Sequence, residues 1–401
     1  MLAINLLNYM DRWMLPAVAP KIKHEFGIGD GALGALGTAF TLVYGLTALP
    51  FGVWADRGVR KNVVAVGVGI WSIATLLSGA VTSAAQLFAA RAAVGIGEAG
   101  YNPAGSSLLA DYFPARHRAS VLSVWNSGAT LGAAAGFIVG GLLADSVGWR
   151  WAFYATVAPG LLCTALAFRI REPGRGEGDG EARAPSALPL AHVVLSILAV
   201  PTIRATIAAQ TLCVFALGGA AFWFPSLLTR RFHLSVHEAD LLSGGVLVVA
   251  GVAGTLGGGW LADRLLPRRA SARLLVPCLG FACSLPLLVL ALWVPTLALC
   301  LPIFFLGGFC LSAYNGPMTA LAQDVVPPEL RAATLALVLT VAHVLGDAFS
   351  PAIIGLLSDA LGGDLLGALR ITLIPVLLGA VLVAWRGLPG VRADVAAAAR
   401  R

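Results

Sequence analysis

Hydrophobic residues in this chain form long, nearly uninterrupted runs, separated by short breaks that hold most of the charges. Val63–Val81 and Leu274–Val294 are two clear examples, and each is long enough to span ~30 Å of hydrocarbon as an α-helix. The runs do not alternate between apolar and polar residues, as the strands of a membrane barrel would. The pattern therefore predicts an all-α integral membrane protein.

Twelve segments are predicted to cross the membrane, in two groups of six separated by the polar stretch Arg171–Pro185. The short apolar stretch Leu188–Val200 ends at Pro201 and is predicted to lie at the interface. The spans are expected near residues 1–19, 31–54, 62–82, 86–112, 119–144, 150–168, 203–227, 239–262, 273–294, 296–323, 332–357 and 365–386. The predicted domains are an N-terminal six-helix bundle (1–170), a cytoplasmic linker with an interfacial helix (171–202), a C-terminal six-helix bundle (203–387) and a cytoplasmic tail (388–401).

Composition supports this class of protein and excludes others. The chain is 58% hydrophobic and 12% charged, far from the roughly 25% charged residues of soluble domains. All six cysteines lie in apolar runs, so they are expected to be core residues and not disulfide partners or metal ligands. No metal and no cofactor is expected. A GxxxxGK[ST] motif is absent from the sequence, which argues against ATP-driven transport by this chain.

The distribution of Lys and Arg predicts the orientation. With the linker placed in the cytoplasm, eighteen fall on that side and six on the other, which agrees with the positive-inside rule. We therefore expect a plasma (inner) membrane protein with both termini cytoplasmic. The net charge of +7 then reflects topology, and no nucleic-acid partner is expected. Lys21, Lys23, His24 and Glu25 are expected to form a solvated outer loop.

The two halves of the chain repeat each other. Gly52-Val-Trp-Ala-Asp56-Arg57 recurs as Gly259-Trp-Leu-Ala-Asp263-Arg264. Six further identities recur at one constant interval: Tyr101, Asn102, Asp111, Pro114, Arg118 and Ala119 return as Tyr314, Asn315, Asp324, Pro327, Arg331 and Ala332. Parallel repeats of this kind place a substrate site between the halves, near the midplane.

Several motifs resemble those of known transporters. Gly52–Lys61 and Gly148-Trp-Arg-Trp-Ala-Phe153 are similar to recurring sequences of the major facilitator superfamily. The match narrows to the spinster family of lipid transporters through three stretches: Asn8-Tyr-Met-Asp-Arg12, Val94–Gly100 continuing to Asp111-Tyr-Phe-Pro114, and Gly218-Gly-Ala-Ala-Phe-Trp-Phe-Pro225. The resemblance implies a twelve-helix major facilitator fold, in two six-helix pseudo-symmetric halves, and a lysolipid or sphingosine-phosphate cargo. The Asn-Tyr-x-Asp-Arg start also resembles organic-anion symporters of the same superfamily.

Two glycine patterns have competing interpretations. Gly95-Ile-Gly97-Glu-Ala-Gly100 satisfies the dinucleotide-binding pattern GxGxxG, but that motif needs a preceding strand, so close helix packing is the better interpretation. Gly128, Gly132, Gly136 and Gly140 likewise favour a close helix contact. They also resemble the antiporter motif of exporters, although Phe137 stands where that motif has proline.

Four charges inside the predicted spans are assigned to the mechanism. Asp11 and Arg12 lie on the first span, and Arg91 and Glu98 lie two helical turns apart on the fourth. A charge within a span costs at least ~2.5 kcal/mol on insertion scales, so each needs a partner or water. Alternatively, these four charges could form ion pairs that only hold the two helices together. We hypothesise that protonating Asp11 or Glu98 frees Arg12 and Arg91 for an anionic headgroup, to which guanidinium geometry is suited.

The predicted substrate site draws on further residues of both halves. In the first half these are Asn8, Tyr9, Tyr101 and Asn102; in the second they are Phe222, Trp223, Tyr314 and Asn315, which could also be ordinary core residues. A wall of charges facing an aromatic wall suits an amphipathic anion. His343 and Asp347, one turn apart on the eleventh span, form a possible second proton site or a helix-to-helix hydrogen bond.

Repeated charges at the cytoplasmic loops are predicted to be gate residues, which in the resembling superfamily pair between helix ends. They are Asp56, Arg57, Arg60, Lys61, Asp111, Arg118, Asp263, Arg264, Asp324 and Arg331.

The sequence as a whole therefore predicts a secondary transporter and not an enzyme. The expected cargo is a lysolipid-like or sphingolipid-like amphiphile, coupled to protons and moved by alternating access across a lipid bilayer by a monomer. One alternative is a symporter for a small organic anion held by Arg12 and Arg91. Another is a non-transporting membrane sensor or scaffold with the same fold.

Overall fold

The computed structural model describes residues 1–113, 115–174, 177, 190–327 and 330–398, and those ranges contain helices and no strands. The helices are α1 (Leu2–Phe26), α2 (Asp30–Arg57), α3 (Arg60–Ala80), α4 (Ala84–Ala99), α5 (Tyr101–Tyr112), α6 (Ala115–Ser146), α7 (Trp149–Arg169), α8 (Leu190–Leu198), α9 (Pro201–Phe232), α10 (Val236–Leu265), α11 (Ala272–Trp293), α12 (Leu297–Ser312), α13 (Asn315–Asp324), α14 (Arg331–Ala342), a π-helix (His343–Asp347), α15 (Ser350–Ala360) and α16 (Leu365–Ala398).

Ten segments in this part of the chain are long and apolar enough to cross a membrane. They correspond to ten of the twelve predicted spans. The other two predicted spans, the first and the fourth, are the helix α1 and the pair α4 and α5. These two spans carry the four charges assigned to the mechanism, and a charge lowers the hydropathy of any window that contains it.

Two predicted spans are broken at equivalent points of the sequence repeat. The fourth span is divided at Gly100 into α4 and α5, and the tenth is divided at Ala313 and Tyr314 into α12 and α13. Gly100 and Ala313 immediately precede Tyr101 and Tyr314, so they are separated by the same interval as the repeated motifs. The two halves therefore share the position of this helix break as well as the repeated sequence motifs.

The chain forms two compact units. The first comprises Met1–Ser186 together with Trp223–Gly244, and the second comprises Ala187–Phe222 together with Gly245–Arg401. The predicted domain boundaries were drawn at the linker instead, and they stay a prediction.

Glycines line the contact between α1 and α6 in the first unit. A Cβ added to Gly136 would lie 2.7 Å from the Met10 carbonyl oxygen, and one added to Gly128 would lie 3.1 Å from the Leu2 carbonyl oxygen. A side chain at these positions would force the helices apart. Helix α1 then ends at Gly27, whose φ of 61° is the left-handed conformation common after a helix C-terminus.

The GxGxxG glycines of α4 have a packing role. A Cβ on Gly95 would lie 2.5 Å from the Phe40 carbonyl oxygen of α2, and one on Gly97 would lie 2.8 Å from the Gly67 carbonyl oxygen of α3. Helix α4 is thus held on both sides by backbone-to-backbone contacts, as the packing interpretation predicts. Because α4 carries Arg91 and Glu98, these contacts also fix the position of the site.

In the second unit, α11 packs against α12 and α16. The π-helix lies against α9, where a Cβ on Gly218 would be 3.1 Å from Asp347 Cα. Helix α16 continues to Ala398 through most of the predicted tail. The Ala-rich end favours helix, and the backbone N–H of Thr202 donates to the Asp394 carboxylate at 2.9 Å.

Candidate transport site

The centre of the candidate site is an ion pair between α1 and α4. Arg12 Nε donates to Glu98 Oε2 at 2.5 Å. The Glu98 side chain is 0% exposed, whereas the Arg12 side chain is 24% exposed. A ligand can therefore contact the Arg12 guanidinium directly, whereas Arg12 and the surrounding residues cover the Glu98 carboxylate.

Three aromatic rings surround the same guanidinium. Arg12 Cζ lies 5.1 Å from the centroid of Tyr9, 5.2 Å from that of Phe40 and 4.9 Å from that of Tyr44. These distances are within the ~6 Å range of cation–π attraction. Phe40 and Tyr44 are one turn apart on α2 and stack on each other at 6.1 Å. The rings hold the charge of Arg12 without occupying its hydrogen-bond donors.

The other two charges assigned to the mechanism, Arg91 and Asp11, are hydrogen-bonded to hydroxyl groups. Arg91 is 2% exposed; its Nε and Nη2 donate to the Ser78 hydroxyl at 3.2 and 3.0 Å, and its Cζ lies 4.9 Å from the Phe153 ring centroid. Asp11, also 2% exposed, accepts from the Thr75 hydroxyl at 3.4 Å. The charge of Arg91 acts on both Asp11 and Glu98 through space. Arg12 is thus the guanidinium of this set that is bonded to a carboxylate.

The other predicted substrate residues of the first half are dispersed. Asn8 is buried and interacts with Glu98, and Tyr9 contacts Arg12. Tyr101 lies in the packed core, where its hydroxyl donates to the Met1 carbonyl at 3.0 Å and accepts from Trp125 Nε1 at 2.6 Å. Asn102 follows it, half-buried, at the start of α5. The structure thus brings Asn8 and Tyr9 to the ion pair and places Tyr101 in a structural network.

The predicted residues of the second half are mostly buried. In the second unit Phe222 and Tyr314 are buried, Asn315 is exposed, and the Tyr314 ring lies 6.1 Å from that of Phe281. Trp223 belongs to the first unit, where it is fully buried and lies 6.0 Å from the guanidinium carbon of Arg230.

His343 and Asp347 form a pair within the π-helix. His343 Nδ1 and Asp347 Oδ2 are 2.9 Å apart, and their side chains are 54% and 32% exposed. A π-turn inserts a residue into a helix and often marks a functional position. This hydrogen bond lies within one element, and both the second proton site and a helix-to-helix hydrogen bond stay predictions.

Arg60 organises the predicted gate of the first half. Its guanidinium donates to Asp111, to the Ser107 hydroxyl at 3.1 Å, to Glu172 Oε1 at 2.8 Å and to the Pro173 carbonyl at 2.8 Å. The backbone N–H of Lys61 also donates to Glu172, at 3.0 Å. The side chain of Arg60 is 2% exposed, so this is a buried junction and not a solvated loop charge.

The second half repeats this junction with a residue that was not predicted. Arg273 pairs with Asp324, and its Nη2 lies 3.5 Å from Asp263 Oδ1. Arg273 follows Arg60 at the same interval at which Asp324 follows Asp111. Arg264 stacks on Trp260, with its Cζ 5.3 Å from the ring centroid. The side chains of four predicted gate residues lie outside the described part: Asp56, Arg57, Arg118 and Arg331.

A second charged cluster lies at the opposite end of the first unit, on the side predicted to face outward. Asp30, which is 0% exposed, accepts from Arg230 Nη1 and Nη2 at 2.7 and 2.6 Å and from Lys23 at 2.5 Å. This bidentate pair links α2 to α9. We call Asp30, Arg230 and Lys23 the outer cluster.

The residues expected in a solvated outer loop lie in the last two turns of α1 instead, and three of them form ion pairs. Lys23 is bonded to Asp30, and Lys21 lies 2.9 Å from Asp145. Glu25 accepts from Arg150 Nη1 and Nη2 at 2.8 and 2.6 Å. Most of these partners are far away in sequence, so the local pattern of charges did not reveal them.

Some of the site residues that were not predicted could have been found from the sequence. Arg273 could have been found by extending the sequence repeat to Arg60, and Phe40 and Tyr44 by their one-turn spacing. No sequence pattern pointed to the pairing of Asp30 with Arg230, because 200 residues separate them.

Comparison with known proteins agrees with this architecture. Residues 1–351 match the family model of the Major Facilitator Superfamily. Protein spinster homolog 1 of Xenopus laevis is 32% identical over 376 residues, which cover 89% of this chain and 71% of that protein. Protein spinster of Drosophila melanogaster is 30% identical over 372 residues, 89% of this chain and 61% of that protein.

A solved structure is also similar: the crystal structure of a bacterial homolog to the human lysosomal transporter Spinster, in an inward-facing and unoccupied conformation. Its TM-score is 0.83, with 25% identity over 98% of this chain and 95% of that chain. The chain therefore belongs to the Major Facilitator Superfamily, and it is a multi-pass membrane transporter and not an enzyme. Within that superfamily it is a spinster-type transporter.

Proposed function

We propose that the chain is a proton-coupled secondary transporter that moves amphipathic lysolipid-like or sphingolipid-like anions by alternating access. It acts as a monomer in the plasma (inner) membrane, with both termini cytoplasmic. The orientation rests on the eighteen-to-six bias of Lys and Arg towards the linker side.

The observation that carries the proposal is the unequal exposure of the Arg12–Glu98 pair. Glu98 is 0% exposed and Arg12 is 24% exposed, so an anion can approach the guanidinium without first reaching the carboxylate. While Glu98 is ionised it occupies Arg12 Nε. A proton on Glu98 weakens this bond and releases Arg12 for a phosphate, which accepts charge-assisted hydrogen bonds from guanidinium groups.

Proton binding and anion binding are thereby linked. An anion that binds better when Glu98 is protonated must in turn increase the proton affinity of Glu98. Anion affinity is expected to rise as the pH falls through the titration of Glu98. Arg91, bonded to Ser78, keeps a positive charge near both acids and limits the number of protons that the site can take.

The amphipathic substrate is favoured by the aromatic surroundings of the charge. Tyr9, Phe40 and Tyr44 face the Arg12 guanidinium. The guanidinium suits a charged headgroup, and the surrounding rings offer apolar contacts to the start of an alkyl tail. A small polar anion would use the guanidinium alone.

The test is transport by the purified protein in proteoliposomes, with an inward-directed pH gradient or none. Lysophosphatidate is the proposed class of substrate, and succinate represents the small organic anions. We expect gradient-dependent movement of lysophosphatidate that succinate does not compete away. Glu98→Gln should still bind lysophosphatidate but lose the effect of the gradient, while Asp364→Asn, at an exposed acid, should behave as the wild type.

Succinate transport without lipid competition would assign the chain to organic-anion symport. A Glu98→Gln protein that still responds normally to the gradient would refute the coupling scheme. Absence of transport of either compound, by protein that binds neither, would favour the sensor or scaffold alternative.

A further inference from the structure

Asp240, near the start of α10, is a buried acid that the mechanism above does not use. It is 0% exposed, and both of its carboxyl oxygens are buried without a hydrogen-bond partner. Asp30 and Glu98 are also 0% exposed as side chains, but each accepts a hydrogen bond from an arginine. Asp240 is therefore buried without the arginine partner that Asp30 and Glu98 have.

The space for this carboxyl is made by a glycine of α6. A Cβ added to Gly141 would lie 2.5 Å from Asp240 Oδ2 and 2.9 Å from Asp240 Cβ. One turn later on α10 and one turn earlier on α6, a Cβ on Gly244 would lie 3.0 Å from Phe137 Cβ. The acid thus sits at a close, apolar contact between α6 and α10, both of which contribute these residues to the first unit.

The charged groups of the neighbouring elements do not neutralise it. On α6, Asp145 is the charge that acts on Asp240, and it is engaged by Lys21 of α1 and by the His237 backbone N–H at 2.9 and 2.8 Å. On α10 itself, His237 lies one turn before Asp240 and Glu238 is exposed. On α9, Arg230 is bonded to Asp30 of α2.

An ionised carboxylate in this position would be buried with neither a hydrogen bond nor a counter-ion, which costs several kcal/mol. The neutral acid avoids most of that cost. If α10 moves away from α6, water reaches the carboxyl and the anion becomes favourable. We propose that Asp240 is a further proton-binding site, which holds a proton while α10 packs on α6 and releases it when these helices separate.

The proposal rests on proton-coupled alternating access but concerns a different acid from Asp11 and Glu98. The direction of the pH dependence follows from the linkage between proton binding and helix packing. Because the packed arrangement binds the proton more tightly, acid favours packing, and separation of α6 and α10 should increase as the pH rises. For one proton the equilibrium changes at most about tenfold per pH unit.

The experiment measures the α6–α10 distance by electron paramagnetic resonance, in nanodiscs, from pH 5 to pH 8. Spin labels are placed at Leu142 of α6 and Leu241 of α10, which are 50% and 48% exposed, after replacement of the six native cysteines. In otherwise unmutated protein the separated population should grow with pH. In Asp240→Asn this growth should be abolished, with the packed population dominant at every pH. In Glu238→Gln, a change of an exposed acid two residues away, it should match the parent.

A second measurement does not depend on helix movement. At neutral pH, the infrared spectrum of the unmutated protein minus that of Asp240→Asn should contain a neutral carboxylic-acid band from Asp240. Absence of that band, or an unchanged pH response in Asp240→Asn, would overturn the proposal.

The two proposals fail separately. If Glu98→Gln loses gradient-driven transport while Asp240→Asn keeps the pH response of the distance, the proposed function stands and this inference falls. If no gradient drives transport while Asp240→Asn abolishes the pH response, this site stands without the proposed coupling.

Discussion

At the scale of single residues, the site depends on how each charge is compensated. Arg12 is compensated twice, by Glu98 through a hydrogen bond and by three rings through cation–π attraction. Glu98 is compensated mainly by Arg12, and removal of one partner from a buried ion pair typically costs about 3–5 kcal/mol. In the proposed scheme, a substrate anion takes Arg12 and a proton then compensates Glu98.

The ring contacts give a prediction at this scale. Phe40→Leu removes a ring centred 5.2 Å from the Arg12 guanidinium carbon and keeps an apolar side chain. We expect a loss of about 0.5–2 kcal/mol of stability, because the contact is only partly exposed to water. Thermal unfolding in detergent measures this as a lower midpoint.

Phe232→Leu is the matched control. Its ring lies at the same 5.2 Å from a guanidinium carbon, that of Arg231, at the end of α9. The effect there should be smaller, because Phe40→Leu also removes the stacking of Phe40 on Tyr44. Equal shifts in the two variants would contradict the role of the rings around Arg12.

At the scale of elements, the position of α4 decides where Arg91 and Glu98 point. Its backbone approaches α2 at Gly95 and α3 at Gly97. Such contacts replace the hydrophobic effect as the force between helices in a membrane, where lipid is as apolar as any side chain. The charges are held in register by these contacts.

Gly97→Ala should disturb that register. Its Cβ would lie 2.8 Å from the Gly67 carbonyl oxygen, and overpacking of this kind costs about 1–3 kcal/mol. We expect a lower unfolding midpoint together with weaker lysophosphatidate binding, because Glu98 is the next residue. Binding is followed by tryptophan fluorescence or isothermal titration.

Gly52→Ala provides the comparison for this variant. It also lies within a helix, α2, but an added Cβ there has no neighbour within 4 Å. It should leave binding unchanged and leave stability unchanged or slightly higher, since alanine favours helix by up to about 1 kcal/mol over glycine. Similar losses in both variants would indicate a general intolerance of alanine and not a packing effect.

At the scale of the whole molecule, residues far apart in sequence are joined at the two ends of the spans. On the linker side, Arg60 with Asp111 and Arg273 with Asp324 form equivalent junctions, one in each unit. On the other side, the outer cluster joins α2 to α9 across 200 residues. The proposed alternating access would require such contacts to form and break in turn, so the outer cluster is expected to control opening on its side.

Asp30→Asn tests this expectation. The amide cannot form a bidentate ion pair with Arg230, so the separated outer arrangement should increase at least about tenfold, given the cost of breaking a buried pair. Distances between spin labels on α2 and α9 measure the two populations.

Glu25→Gln is the appropriate control, because Glu25 also accepts two hydrogen bonds from one arginine, Arg150. That pair joins α1 to α7, both within the first half of the chain. It should lower stability without shifting the outer equilibrium. A shift in Glu25→Gln as large as in Asp30→Asn would remove the special role of Asp30.

Much of the architecture was predictable because the membrane restricts the choices. A span in lipid must satisfy its own backbone hydrogen bonds, so long apolar runs become helices. The charges inside those runs could be singled out for the same reason, since each is costly unless it has a function or a partner. The constant interval of the repeat further pointed to equivalent junctions, including the one at Arg273 that was overlooked.

The sequence by itself determined the helical membrane class, the two-fold repeat and the presence of four charges within α1 and α4. These follow from composition and spacing, which act locally along the chain. Tertiary structure alone decided that Arg12, and not Arg91, bonds to Glu98, that Asp30 finds Arg230, and that Asp240 lies against Gly141 without a partner. Those outcomes depend on which helix faces meet, and lipid exerts no hydrophobic force between helices that would make the meeting faces readable from the pattern.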